Sequence, residues 1–403
     1  MAFLLASSPE TLKIPLIMLL VFGSAKLLAE LFESLGQPAI VGQILAGILL
    51  GPSALNWIAP TGFLSSLADL GVMFLLFRVG MEVKSSELMR VGGTATLVAA
   101  SGVVVPFAMG WGILAFLGAP RVESIFVGAA MVATSVGITA QVLSAKSLLQ
   151  LESSKIILAA AVIDDVFGLL VLAVVSSMAR GKINVLDLAL TAILASAFVV
   201  IVAKWGSGAM KRLLPHVGRL TKAADAEFAF AICLLFALSL LATYAGVAAI
   251  VGAFLAGMAI GESVPKRVHT LVRGATELLV PFFLVGIGLH VDLAVLRHPA
   301  TAALALVVLV AAVLSKFIGC GLGAARMGRL NALRIGAGMI PRGEVGMVVA
   351  QIGLAMGVIT DAIYGIVVFM AVATTLIAPP LIKIAFKQVN SAGKPAFEGV
   401  LHR

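Results

Sequence analysis

Apolar runs long enough to cross a bilayer recur about every 25–30 residues along this chain. Each approaches the ~20 residues a helix needs to span the hydrocarbon layer. Such repetition leaves few folds open. In lipid every backbone N–H and C=O must be paired within the protein, so only helices and closed barrels can span. Barrel strands would be shorter and would alternate polar with apolar residues; these runs do neither. Of the 403 residues, 61% are hydrophobic and 12% charged, and the mean hydropathy is +1.15. A soluble domain has roughly twice that charged fraction. The sequence therefore describes an all-α polytopic membrane protein.

Thirteen transmembrane helices are expected, near residues 12–33, 38–52, 63–82, 92–117, 123–145, 155–179, 185–205, 226–243, 246–261, 272–290, 301–323, 332–357 and 361–384. The second and ninth are short. After the last, only KQVNSAGKPAFEGVLHR follows, so no soluble regulatory or nucleotide-binding domain is expected. The opening MAFLLASSPE lacks the basic region and cleavage pattern of a signal peptide. Cys233 and Cys320 both fall in apolar spans, against a disulfide framework or a cysteine metal site. The five histidines lie in loops or near helix ends and form no metal cluster.

The net charge of +9 reads as membrane topology rather than as a surface for nucleic acid. Counting Lys and Arg in alternate connections gives 19 on one side and 5 on the other. The rich side is cytoplasmic by the positive-inside rule. The N-terminus is then outside, the C-terminus inside. Lys26, Arg78, Lys316 and Arg342 fall within spans. Arg78 with Glu82, and Lys26 with Glu30, are spaced to pair along a helix. Asp69, inside the third span, has no assigned partner.

An internal repeat is also legible. VGQILAGILLG (41–51) matches VGAFLAGMAIG (251–261) at six of eleven positions. FLLFRVGMEV (74–83) resembles FFLVGIGLHV (282–291), and GAAMVATSVG (128–137) resembles GAGMIPRGEVG (336–346). The three matches keep one order and one offset of about 208–210 residues. Matched spans stand an odd number of helices apart, so the halves have opposite orientation. This is the inverted-repeat plan of secondary transporters, whose ion sites lie where discontinuous helices cross.

Two matched spans carry candidate breaks, 133–137 in the fifth and 341–344 in the twelfth. Pro341 removes a backbone donor and clashes with the preceding turn. Thr134 and Ser135 could satisfy freed backbone groups. Either break alone could be a simple kink; their equivalent positions favour an ion site. For Arg342 and Glu344 the preferred reading is structural, the neutralisation of freed helix ends.

Asp164 and Asp165 lie inside the apolar segment LAAAVIDDVFGLLVLAVVSSM. A charge at that depth costs ~2.5–3.5 kcal/mol or more, so two in succession need a role. They point about 100° apart on a helix and cannot form a tight acid pair. One can meet a basic partner while the other faces a water-filled cavity. Lys316, mid-span in AAVLSKFIGC, is the obvious partner. The pair is either a structural salt bridge or, the preferred reading, a proton-handling pair. Desolvation disfavours the charged form of both groups, so such a pair can pass a proton on.

With these residues in view, the chain resembles the monovalent cation:proton antiporter superfamily, most closely its electrogenic NapA-like sodium/proton members. QPAIVGQILAGILLGP, ATSVGITAQVL, the Asp164–Asp165 pair, Lys316 and GMIPRGEVGMVVAQIGL carry the likeness over essentially the whole chain. The resemblance implies an NhaA-like antiporter fold of thirteen helices and a homodimer. It implies a scaffold from residues 1–90 and 223–298, a moving core from 91–182 and 299–403, and a linker helix in 183–222. It also implies that Asp165 is the principal cation ligand, that Asp164 pairs with Lys316, that Thr134 lies at the crossing, and that Glu344 is a crossing-region acid. Asp164 stands where the electroneutral branch usually has asparagine.

The expected activity is export of sodium or lithium in exchange for protons, with sodium held at Asp165 and Asp164 and no cofactor. Its setting would be a prokaryotic plasma membrane. A potassium/proton antiporter of the same fold is the nearest alternative. A sodium-coupled organic-anion symporter is a further one, but it leaves the two aspartates and Lys316 unexplained. An intramembrane aspartyl protease needs acids converging from different helices and a GxGD sequence, which this chain lacks.

Overall fold

A computed structural model describes residues 10–179, 185–220 and 225–387. Its α-helices are α1 (Glu10–Ser34), α2 (Ala39–Leu50), α3 (Gly62–Met81), α4 (Ser85–Phe116), α5 (Arg121–Ala130), α6 (Val136–Ala145), α7 (Glu152–Ala179), α8 (Val185–Leu220), α9 (Ala226–Tyr244), α10 (Ala249–Ile260), α11 (Lys266–Leu289), α12 (Pro299–Gly323), α13 (Arg329–Gly338), α14 (Glu344–Ala355) and α15 (Asp361–Ala385). Among the described residues there is no strand. Nine of these helices are long and apolar enough to cross a membrane. The remaining six comprise the short α2 and α10 and two broken pairs, α5–α6 and α13–α14. Large apolar side chains point outward, Phe116 at 91% and Leu27 at 74% exposure, as a surface facing lipid requires.

The helices pack in two groups. α3 lies against α10 and α11, α2 against α1 and α11, and α9 against α10. In the second group α4 packs on α5, α7 and α12, and α15 on α12, α13 and α14. Contacts between the groups are sparser, through α3 with α6 and α2 with α15. α8 touches members of both.

The repeat is present in the packing as well as in the sequence. A Cβ on Gly47 would strike the backbone of Val285 and Gly288, and one on Gly288 would strike Ile44 and Gly47. The equivalent crossing in the other half joins Gly80 to Phe254 and Met258, and Gly257 to Phe77 and Met81. Only glycine lets α2 meet α11, and α10 meet α3, at backbone distance. Loop positions repeat too: Gly36 and Gly246 take left-handed φ of +71° and +78°, Gly118 and Gly328 +77° and +85°.

Some expectations shift in detail. α4 begins at Ser85, ahead of the expected 92, and α8 runs to Leu220 rather than 205. A boundary at residue 90 would therefore cut α4. The breaks fall at 131–135 and 339–343, about two residues earlier than read from the sequence. Arg78 does approach Glu82, at 3.7 Å. Lys26 forms no ion pair with Glu30 and instead lies over the Phe22 ring, 5.4 Å from its centroid. Of the basic residues counted for orientation, Arg180, Lys182, Lys222, Lys394 and Arg403 lie outside the described residues.

Candidate ion site at the helix crossing

The second break follows from local sequence. Pro341 cannot donate to a helix, and Gly343 adopts φ −142° and ψ −145° before α14 resumes. The first break, through Met-Val-Ala-Thr-Ser, contains no proline. Its partners elsewhere in the fold hold it open. The two breaks cross at residues the repeat makes equivalent: a Cβ on Gly343 would lie 2.7 Å from the Ser135 Cβ. Ser135 N–H donates to Pro341 O at 2.8 Å.

Breaking a helix in a membrane strands carbonyls that need donors, and here two buried cations supply them. Lys316, 0% exposed on α12, donates from Nζ to Val132 O at 2.6 Å and to Gly102 O on α4 at 2.8 Å. It also meets both carboxylate oxygens of Asp164, at 3.0 and 3.1 Å. Asp164 is likewise 0% exposed. An ammonium has three donors, and the carboxylate and two carbonyls use them all. Arg342, also 0% exposed, donates from its two terminal nitrogens to Ala133 O at 3.3 Å and Ala312 O at 3.1 Å. Its backbone N–H donates to Thr374 Oγ1 at 3.1 Å, and Thr374 in turn donates to Ala371 O. Thr139 Oγ1 donates to Gly338 O at 2.6 Å, a further bond between the broken segments.

The structure thus brings Asp164, Lys316, Ser135, Pro341 and Arg342 to one crossing. Asp165 follows Asp164 on α7, which packs against both broken helices, and is 4% exposed. Thr134 and Ser135, 4% and 2% exposed, do not serve the freed backbone as their residue types suggested. Among the described residues, Thr134 Oγ1 and Ser135 Oγ are buried without a hydrogen-bond partner; the carbonyls go to Lys316 and Arg342 instead. Two hard oxygens so placed suit a hard cation better than they suit an apolar core. The Glu344 side chain lies outside the described residues.

Sequence reading missed Gly102, Thr374 and the carbonyls of Val132, Ala133 and Ala312. Thr374 carried a faint signal as a hydroxyl in an apolar span. Gly102 carried one in Pro106, four residues on in α4, which cannot donate to the Gly102 carbonyl; a Cβ on Gly102 would also come 2.6 Å from Cys320 Sγ and 3.4 Å from Lys316 Nζ. Among the described residues no group of three or more His, Cys, Asp or Glu could hold a metal cofactor.

The profile of the family described as sodium/hydrogen exchanger, transmembrane, matches residues 17–388. The high-affinity Na(+)/H(+) antiporter NhaS3 of Synechocystis sp. is 33% identical over an alignment 430 positions long, which covers 94% of this chain and 91% of that protein. The Na(+)/H(+)-K(+) antiporter GerN of Bacillus cereus is 32% identical over 383 residues, 93% of this chain and 97% of its own. Among solved structures, the sodium proton antiporter MjNhaP1 from Methanocaldococcus jannaschii shares the fold. It matches with a TM-score of 0.72 at 18% identity, over 98% of this chain and 100% of the other.

Proposed function

Because this chain belongs to the sodium/hydrogen exchanger family, we propose that it is a secondary sodium/proton antiporter, and not an enzyme, that exports Na+ or Li+ against entering protons. The observation that carries this reading is the crossing itself. A closed Asp164–Lys316 pair, 0% exposed on both sides, stands beside Asp165 and two unpartnered hydroxyls.

In the proposed cycle the deprotonated, inward-facing site takes a dehydrated cation on Asp165, with Asp164 and the hydroxyls of Thr134 and Ser135 completing its oxygens. As Asp164 turns to the cation, Lys316 loses its carboxylate and gives up a proton. Loading the site lets the core helices α4–α7 and α12–α15 slide past a scaffold of α1–α3 and α9–α11, with α8 linking them. Outside, protons return to Asp165 and to Lys316 and displace the ion. Two protons then enter for each sodium that leaves, one net charge moves, and the proton-motive force drives export. The scaffold forms a homodimer, and the chain sits in a prokaryotic plasma membrane with its N-terminus outside.

A second reading, with potassium as a transported ion, is favoured by one observation, the K(+) in the name of the relative GerN. Carboxylate and hydroxyl oxygens accept either ion. Purified protein in proteoliposomes, with an imposed pH gradient and the potential fixed by an ionophore, tests both. Proton release on adding sodium or lithium, greater than on adding potassium, supports the first reading. Release with neither ion excludes the function.

A further inference from the structure

One ionisable residue of the membrane helices has no place in that cycle. Asp69 lies on α3, well inside the span Gly62–Met81, where an unhydrated carboxylate is expensive. Among the described residues no basic side chain pairs with it. It opens instead into a cavity of about 510 Å³. Ser65, Asp69, Val72 and Met73 line that cavity together, as residues three and four apart on one helix face should.

The cavity lies between the two groups of helices. α3, α10 and α11 supply one wall, and Gln351 on α14 and Tyr364 on α15 stand on the other. Its exposed lining residues Pro60 and His290 stand at connections on the side poor in Lys and Arg. Val72 and Phe283 line it too and are buried, and these two side chains also sit against Gly137, two residues beyond Ser135. The lining of the cavity therefore reaches from the side poor in Lys and Arg to the residues that pack on the first turn of α6. Among the described residues, Asp69 is the only carboxylate on its walls.

We propose that Asp69 is the residue that gathers cations on the outer approach to the crossing, a steering carboxylate rather than a ligand of the exchanged ion. A negative charge in a cleft with largely apolar walls focuses the field and raises the local cation concentration. It does so for sodium and protons alike, so it sets how readily the outer face is loaded and leaves the direction of net exchange to the gradients. A carboxylate kept only for helix packing would have no such sidedness.

The inference rests on the antiport reading, and its test separates the two. Sodium-dependent proton movement is measured in right-side-out and inside-out vesicles from cells expressing wild type, Asp69→Asn or Asp69→Glu, with thermal stability of each protein recorded. The expected result is a rise in the KM for sodium of roughly tenfold for Asp69→Asn at the outer face, no change at the inner face, and recovery in Asp69→Glu. An unchanged outer KM, an equal rise on both faces, or complete loss of exchange in a stable Asp69→Asn protein overturns the assignment while the antiport reading stands. A wild type that exchanges nothing removes both.

Discussion

The backbone N–H of Ser135 donates to the carbonyl of Pro341 at 2.8 Å. The repeat relates Ser135 to Gly343 and Pro341 to Ala133, so its symmetric mate would run from Gly343 N–H to Ala133 O. In place of that bond the Arg342 guanidinium fills the Ala133 carbonyl. The crossing is thus symmetric in backbone path and asymmetric in charge. Arg342 occupies the position that Thr134 holds in the other repeat, and both cations, Lys316 and Arg342, come from the second half. The first half contributes the two aspartates and two free hydroxyls. One half supplies the oxygens and the other holds the frame.

Asp165→Asn should reduce sodium-driven proton release to background while leaving a folded protein. The amide keeps the shape but cannot alternate between proton and cation. Near-normal release from purified, monodisperse mutant would remove Asp165 from the site.

Lys316→Gln should lower thermal stability strongly, because Asp164 loses its cation and Val132 and Gly102 lose a donor. Removing one partner of a buried pair costs about 3–5 kcal/mol. In the same variant the dependence of sodium flux on membrane potential should weaken, with some electroneutral exchange left on Asp165. The measurement is flux at fixed pH under imposed potentials. If wild-type flux ignores the potential, the two-proton cycle is wrong. If both proteins respond equally, the second proton travels without Lys316.

Gly288→Ala should destabilise the protein by about 1–3 kcal/mol. Its new Cβ meets the backbone of Ile44, Gly47 and Ile48 rather than a side chain that could turn aside. Gly23→Ala, with nothing within 4 Å, is the control and should be near neutral. Thermal unfolding in detergent reads both, and equal midpoints would mean that α2 and α11 can part without cost.

Arg78→Ala should loosen the contact between the helix groups on the side rich in Lys and Arg. Arg78 donates to Ser144 Oγ at 3.2 Å, beside Gln150 to Glu82 O at 2.8 Å and Lys383 to Gly36 O. A partly exposed contact of this kind is worth up to about 1 kcal/mol, roughly fivefold in a two-state population. A cysteine at Gln141, which lines a cavity of about 420 Å³ on that side, reports the opening once Cys233 is replaced by serine. Its modification rate should rise by that factor in Arg78→Ala. An unchanged rate would show that the contact does not hold the groups together.

The sequence alone determined the class, the repeat and the depth of the charges. Apolar runs of bilayer length admit helices only, because lipid offers no partner to an open backbone. Asp164, Asp165 and Lys316 stood out because a charge in such a run must be compensated. The tertiary structure decided what the local sequence does not encode. No residue from 131 to 135 breaks a helix by itself, and the break exists because Lys316 and Arg342, distant in the chain, take its carbonyls. The hydroxyls of Thr134 and Ser135 were free to cap that backbone and do not, because the stronger cationic donors already do. The cavity at Asp69 was invisible for the same reason. It is defined by what packs opposite, and that is a property of the fold and not of any one segment.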